Sequence, residues 1–110
     1  MEKYIQVLTT TDKKEEAEKI AETILKKKLA GCVQIIGPIK SHYWWKGKIE
    51  KEKEWLLFIK TKRKLYKEIE KTIKEIHSYE VPEIIAFSII AGNKDYLEWL
   101  KKCVWLSLGK

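Results

Sequence analysis

The stretch "HSYEVPEI", His77 to Ile84, gathers side chains able to do chemistry in a chain otherwise dominated by lysine and glutamate. It holds one of two histidines and one of two prolines, together with Tyr79, Glu80 and Glu83. Imidazole beside carboxylate is a donor set for a divalent cation, which makes His77 and Glu83 the candidate metal ligands, with Tyr79 beside them. The same residues also build an elbow. A histidine in the last turn of a helix faces the negative pole, which favours the protonated ring. Pro82 ends any helix and turns the chain toward an extended strand. The stretch therefore reads as an elbow first, and as a site where that elbow meets a subunit boundary.

Other residues could act with it. The run Tyr43, Trp44, Trp45 reads as the packing surface of a hairpin, or as a stacking wall for a planar ligand. Tyr43, Trp45, Lys60 and Tyr79 are the candidates for a small-ligand or interface cleft, where Lys60 would meet an anion or pair with Glu54 or Glu83. His42 is expected in solvent. Glu50, Glu52 and Glu54 share one strand face; with Lys51 and Lys53 between them, they read as a solvated face paired with lysines. Cys32 opens an apolar run and is expected to be buried. Cys103 lies near a helix end, and the two cysteines have no metal-ligand spacing.

The elements that must position these residues alternate. "YIQVLTT" has strand composition. Asp12 followed by Glu15 resembles a capped helix start, and Ala17, Ile20, Ala21, Ile24 and Leu25 follow at helical spacing. "AGCVQIIGPI" is a strand, bent or bulged at Gly37-Pro38. "SHYWW" and "WLLFIKT" flank Lys46-Gly47-Lys48 as a long hairpin. A second helix is expected from Thr61, with Leu65, Ile69, Ile73 and Ile76 as its buried stripe. "PEIIAFSIIA" follows as a strand, then a short helix capped by Asn93. The tail "VWLSLGK" reads as a final strand or as an extension that docks on a partner. The order is β-α-β-β-α-β with an extra C-terminal helix: an α+β, ferredoxin-like fold with an antiparallel sheet. "WLLFI" and "IIAFSII" do not alternate cleanly, so both sheet faces look buried. Two helices cover one face, and a partner subunit is the simplest cover for the other.

At 110 residues the chain is one domain, 1–110. A hydrophobic share of 45% places it among globular proteins rather than disordered ones. Of its 23 basic residues Arg63 alone is arginine, and Gln6, Gln34 and Asn93 are its side-chain amides. That usage resembles a hyperthermophile's. The net charge of +7 is interleaved with acids, as in "DKKEEAEK", which favours a solvated surface over a nucleic-acid footprint. No apolar run approaches the ~20 residues that span a bilayer, so no membrane partner is expected. "MEKYIQVLTT" lacks the layout of a secretory signal, and the expected setting is the cytoplasm.

"LAGCVQI", "SHYWWKGKIE", "IKT", "HSYEVPEI" and "GNKDYLEWL" occur in the order seen in the CutA family of divalent-cation tolerance proteins, a resemblance reaching from "VLTT" to "YLEWL". It implies a ferredoxin-like fold similar to the PII signalling proteins and a homotrimer whose long hairpins pair between subunits. It also implies tolerance to copper and other divalent metals, with copper suspected and zinc possible as the bound ion, and no enzymatic reaction. Two positions depart from the pattern. Ser78 stands where the family usually has proline after the histidine. Thr9 stands where some bacterial members carry a copper-ligating cysteine, and Ile76 precedes His77.

Rival classes share the topology. An RNA recognition module needs a third strand with glycine and exposed aromatics, and "EKEWLLFIKT" has no glycine. An acylphosphatase needs an arginine and an amide-rich cradle after the first strand, where this chain has "TTTDKK". No nucleophile–histidine spacing marks an enzyme. A PII-like sensor of a small anion at subunit clefts, using Lys60, stands as the alternative to a metal-binding trimer.

Overall fold

The structure is a computed structural model of the chain, and it describes residues 3–104. Its elements run β1 (Tyr4–Thr11), α1 (Lys14–Lys26), β2 (Cys32–Trp45), β3 (Lys48–Lys62), α2 (Tyr66–Ile76), β4 (Ile84–Ser88) and α3 (Lys94–Cys103), with a 3-10 turn at Arg63–Leu65 before α2. The four strands form one antiparallel sheet in the order β2-β3-β1-β4, the ferredoxin-like arrangement expected from the sequence.

Alternation along the two inner strands builds the core. Ile5, Val7, Leu57 and Ile59 point to one face, where Ala17, Ile20 and Ile24 of α1 and Ile69 and Ile73 of α2 close over them. The other face carries Leu8, Leu56 and Phe58, continued by Ile36 on β2 and by Ile85 and Phe87 on β4. Ile36, Ile85 and Phe87 are exposed. Within one chain α1 and α2 cover a single face, and the second, for which the strand pattern calls for a partner subunit, stays open. α3 packs its buried Leu100 near Gly31 at the entry to β2.

Local chemistry moves several boundaries. Asp12 does not cap α1, whose first residues have no side-chain cap; instead Thr11 Oγ1 accepts the Lys13 N–H at 3.4 Å and donates to Glu16 at 2.6 Å. Thr61 does not open α2. It stays in β3, fully buried, and its hydroxyl donates to the Leu29 carbonyl at 2.5 Å, so the helix waits for the 3-10 turn to finish. The hairpin turn falls at Lys46-Gly47, both at positive φ, as a two-residue hairpin loop requires. The predicted bulge is present, with the β2–β3 register shifting between Ile36 and Ile39. Asn93 caps α3 by accepting the Tyr96 N–H at 3.0 Å. Cys32, expected to be buried, is half-buried, as is Cys103. Most of the tail segment lies outside the described residues.

Gly37 leaves no room for a side chain, since a Cβ there would stand 2.8 Å from Trp55 Cγ and 2.9 Å from Nε1. Gly37→Ala should push the indole aside and destabilise the fold by about 1–3 kcal/mol. A lowered midpoint in thermal or denaturant unfolding checks this.

Candidate functional site: an acidic cleft beside the elbow

Three segments meet at one end of the sheet: the end of β1, the outer half of the β2–β3 hairpin, and the connection from α2 to β4. His77 follows the last helical residue, and its extended backbone turns the chain away from α2 while its N–H still bonds the Ile73 carbonyl at 2.8 Å. Its side chain is fully buried. Nε2 lies 2.6 Å from the Thr10 carbonyl, and Nδ1 accepts the Tyr79 N–H at 3.1 Å. This pattern requires the neutral ring with its proton on Nε2. Both nitrogens are thus engaged, Nε2 as donor and Nδ1 as acceptor, and the ring's one free lone pair is not open to a metal. The expectation of His77 as a ligand gives way, in this geometry, to His77 as the pin that ties the elbow to β1.

Glu16 completes the pin. Its Oε2 accepts from Thr11 Oγ1, from Ser78 N at 3.2 Å and from Ser78 Oγ at 3.3 Å, and stands 3.5 Å from His77 Nδ1. Burial works against the charged carboxylate, but these hydrogen bonds from Thr11 and Ser78 outweigh it and hold the carboxyl below its ordinary value. Ser78, the departure from the proline pattern, supplies two of those donors, the backbone N–H and the hydroxyl, both of which proline lacks.

Tyr79 packs its ring on His77, with centroids 4.7 Å apart, and donates its hydroxyl to Glu54 Oε2 at 2.6 Å. Glu54 is only 4% exposed. Burial and the Glu54 carboxylate, with Asp12 and Tyr43 adding to them, hold the Tyr79 phenol far above its usual range, so it stays a donor. Tyr43 is raised in the same direction, by desolvation and by Glu52, Glu54 and Glu50.

Between the hairpin and the elbow opens a cleft of ≈ 900 Å³. Asp12, Glu50, Glu52, Glu54, Glu80 and Glu83 line it, and among the described residues no lysine or arginine does. Aromatic walls come from Tyr43, Trp44, Trp45 and Tyr79, and His42 stands among the lining residues. Period two explains the segregation: Glu50, Glu52 and Glu54 share one face of β3, and Lys51 and Lys53 take the other. The glutamates were expected to pair with those lysines, and no such ion pair forms among the described residues.

The cleft brings together Tyr43, Trp45, Tyr79 and Glu83 of the sequence candidates, and leaves out Lys60 and His77. Glu83 sits beside Thr10, whose hydroxyl lies 3.5 Å from its carboxylate. Lys60 pairs with neither Glu54 nor Glu83; its ammonium donates to Gln34 at 2.5 Å, on the open sheet face. His42 is exposed, as expected. Thr9 is fully buried on the helix-covered face, and its hydroxyl has no hydrogen-bond partner among the described residues. Among those residues no three His, Cys, Asp or Glu side chains form a preformed metal cage. Sequence reasoning missed Glu16 and Asp12, and only the doublet of acids in the first turn of α1 hinted at the former.

Fold and cleft together define a class: an α+β subunit of ferredoxin-like topology that gathers carboxylates and aromatics beside the outer half of a long hairpin. The chain belongs to the CutA1 family of divalent ion tolerance proteins, whose model matches residues 5–103. It is 43% identical to the divalent-cation tolerance protein CutA of Archaeoglobus fulgidus, over 89% of this chain and 95% of that one. It is 45% identical to the chloroplastic Protein CutA 1 of Oryza sativa, over 88% of this chain, which spans only 55% of the plant protein. Among solved structures, CutA1 from Oryza sativa superposes with a TM-score of 0.92 at 43% identity, covering 96% of both chains. The divalent cation tolerance protein from Thermus thermophilus superposes at 0.90 with 35% identity, covering 93% of this chain and 99% of that one.

These relatives overturn the expected cytoplasmic setting. The plant proteins of Oryza sativa and Arabidopsis thaliana are named chloroplastic, and the Archaeoglobus fulgidus structure is described as periplasmic. The family is not tied to one compartment.

Because the Glu16 carboxyl is held below its ordinary value of 4.5, its stabilisation is complete above that value and is lost as pH falls through the lower folded value. Glu16→Gln should cost about 1–3 kcal/mol at pH 7, with the gap to wild type closing in acid; melting curves across pH check both magnitude and sign. Tyr79→Phe leaves buried Glu54 without its donor and should cost about 1–3 kcal/mol in the same assay.

Proposed function

We propose that this protein binds divalent cations in the acidic cleft as a homotrimeric, non-enzymatic member of its family. The observation that carries the reading is the cleft lining: six carboxylates and no cationic side chain among the described residues, in a chain of net charge +7. Such a lining attracts cations and repels anions, so it favours a metal over the alternative of a small anion. Glu50 and Glu52 lie two residues apart on one strand face, roughly 7 Å, a spacing that two flexible carboxylates can close around one ion. Glu83 and Asp12 face them from the elbow side. Without a preformed cage, the ion keeps part of its water and is held weakly. Copper and zinc are the ions of choice, with His42 the available imidazole. The named relatives support this reading, being divalent-cation tolerance proteins. The trimer is supported by the open face bearing Ile36, Ile85 and Phe87, which a second copy would cover.

Titration calorimetry with copper and zinc tests the cleft. Wild type should bind, and Glu50→Gln/Glu52→Gln should weaken binding by about tenfold or more, about 1.4 kcal/mol. His77→Ala should lower stability and leave cation affinity within a factor of a few. Equal affinity in wild type and the double glutamine variant sinks the cleft as the site. Light scattering should give three times the mass of one chain, and a monomer refutes the assembly.

A further inference from the structure

The acidic cleft carries more than carboxylates. Tyr43 is the register partner of Glu50, and Ser41 that of Glu52, so an aromatic ring and a hydroxyl share the strand face of the glutamate row. Trp45 follows two residues on from Tyr43, and Tyr79, Val81 and Pro82 line the elbow side. Lys46, at the hairpin turn, holds its ammonium 5.8 Å from the centroid of the Trp45 ring, so that indole already takes a primary ammonium. At the inner end of the row Glu54 lines the cleft although it is 4% exposed. Its one hydrogen bond among the described residues comes from the neutral Tyr79 phenol, and no cation pairs with it there.

We propose that the cleft binds a linear aliphatic polyamine, whose ammonium groups pair with the row Glu50, Glu52 and Glu54 and whose methylene spacers lie against the Tyr43 and Trp45 rings. On the reading of the cleft as a cation site, on which this rests, a polyamine is a second class of occupant beside the divalent ions. Successive carboxylates on one strand face stand roughly 7 Å apart. Five single bonds of about 1.5 Å, the N–C–C–C–C–N of a four-carbon diamine, span roughly 6 Å when extended. One ammonium therefore meets one carboxylate, each by a charge-assisted hydrogen bond, and no carboxylate has to close on its neighbour. A metal ion asks the opposite, several oxygens converging on one point, and among the described residues no such cage is preformed. Aromatic faces attract an ammonium, and with Val81 and Pro82 they cover methylene groups; a hydrated metal ion uses neither. An ammonium at Glu54 gives a buried carboxylate the counter-charge it lacks. The net charge of +7 repels a polycation from the surface at large, so the attraction is local to this lining.

The test is titration calorimetry of the full chain with spermidine, butane-1,4-diamine and butylamine, and separately with zinc and copper. Butane-1,4-diamine should bind about tenfold more tightly than butylamine, because its second ammonium adds a hydrogen bond to a charged partner, and spermidine more tightly again. Glu50→Gln/Glu52→Gln should weaken spermidine binding by about tenfold or more. Tyr43→Leu, which keeps apolar bulk and removes the ring, should weaken spermidine about threefold more than it weakens zinc. Lys51→Gln/Lys53→Gln, on the opposite strand face, should not weaken spermidine binding. Equal affinity for butylamine and butane-1,4-diamine, or undiminished spermidine binding in the double glutamine variant of Glu50 and Glu52, overturns the proposal. Metal binding without spermidine binding overturns it too, and leaves the cleft as a metal site. Spermidine binding without zinc or copper binding upholds it and removes the metal reading. If Tyr43→Leu does not fold, the ranking of mono-, di- and triamine on wild type decides.

Discussion

The two-residue period of β3 governs the molecule. Fifteen residues long and paired on both sides over its inner half, this strand sends alternate side chains to opposite faces without interruption. One series, Trp55, Leu57, Ile59 and Thr61, meets the helices and makes the core. The other runs from Glu50, Glu52 and Glu54 through Leu56 and Phe58 to Lys60 and Lys62, giving in turn an acidic cleft, an open apolar face and a basic end. A slip of one residue would put glutamates under the helices and isoleucine in water. Trp55 against Gly37 and Thr61 against the Leu29 carbonyl lock the register at two distant points.

The elbow after α2 depends on that register in turn. His77 grips the last turn of α2, the carbonyl of Thr10 and the amide of Tyr79, and Tyr79 reaches across to Glu54. Helix, inner strand, loop and hairpin are thereby joined through a single buried ring. Glu16 holds the elbow from the α1 side through the Thr11 hydroxyl and both Ser78 donors, neither of which a proline at 78 would supply. The cleft wall is rigid because its supports are buried and hydrogen-bonded, while its carboxylates at Glu50, Glu52 and Glu83 keep some exposure to solvent.

Much of this was legible in the sequence. The order of elements, the turn at Lys46-Gly47, the bulge at Gly37-Pro38 and the Asn93 cap follow from local chemistry, which the surrounding structure does not override. Boundaries decided by tertiary contacts were not legible. Thr61 has the look of a helix start until its hydroxyl finds a carbonyl 32 residues away. His77 offers two good nitrogens until burial gives each a backbone partner. The role of Glu50, Glu52 and Glu54 was within reach, because strand alternation alone separates them from Lys51 and Lys53. What concealed it was reading sequence neighbours as spatial neighbours. The aromatic run was placed correctly on the hairpin, but its convergence with the elbow needs the three-dimensional path of the chain.

The separation of charge along β3 bears on how ions approach. From Glu54 to Lys62 is eight residues, roughly 26 Å of strand. The Debye length at physiological ionic strength is about 8 Å, so an ion entering at the glutamates is shielded from the lysines at the far end. The overall positive charge therefore does not set the sign of what this protein attracts. Each end of the strand presents its own local potential to the surrounding solvent.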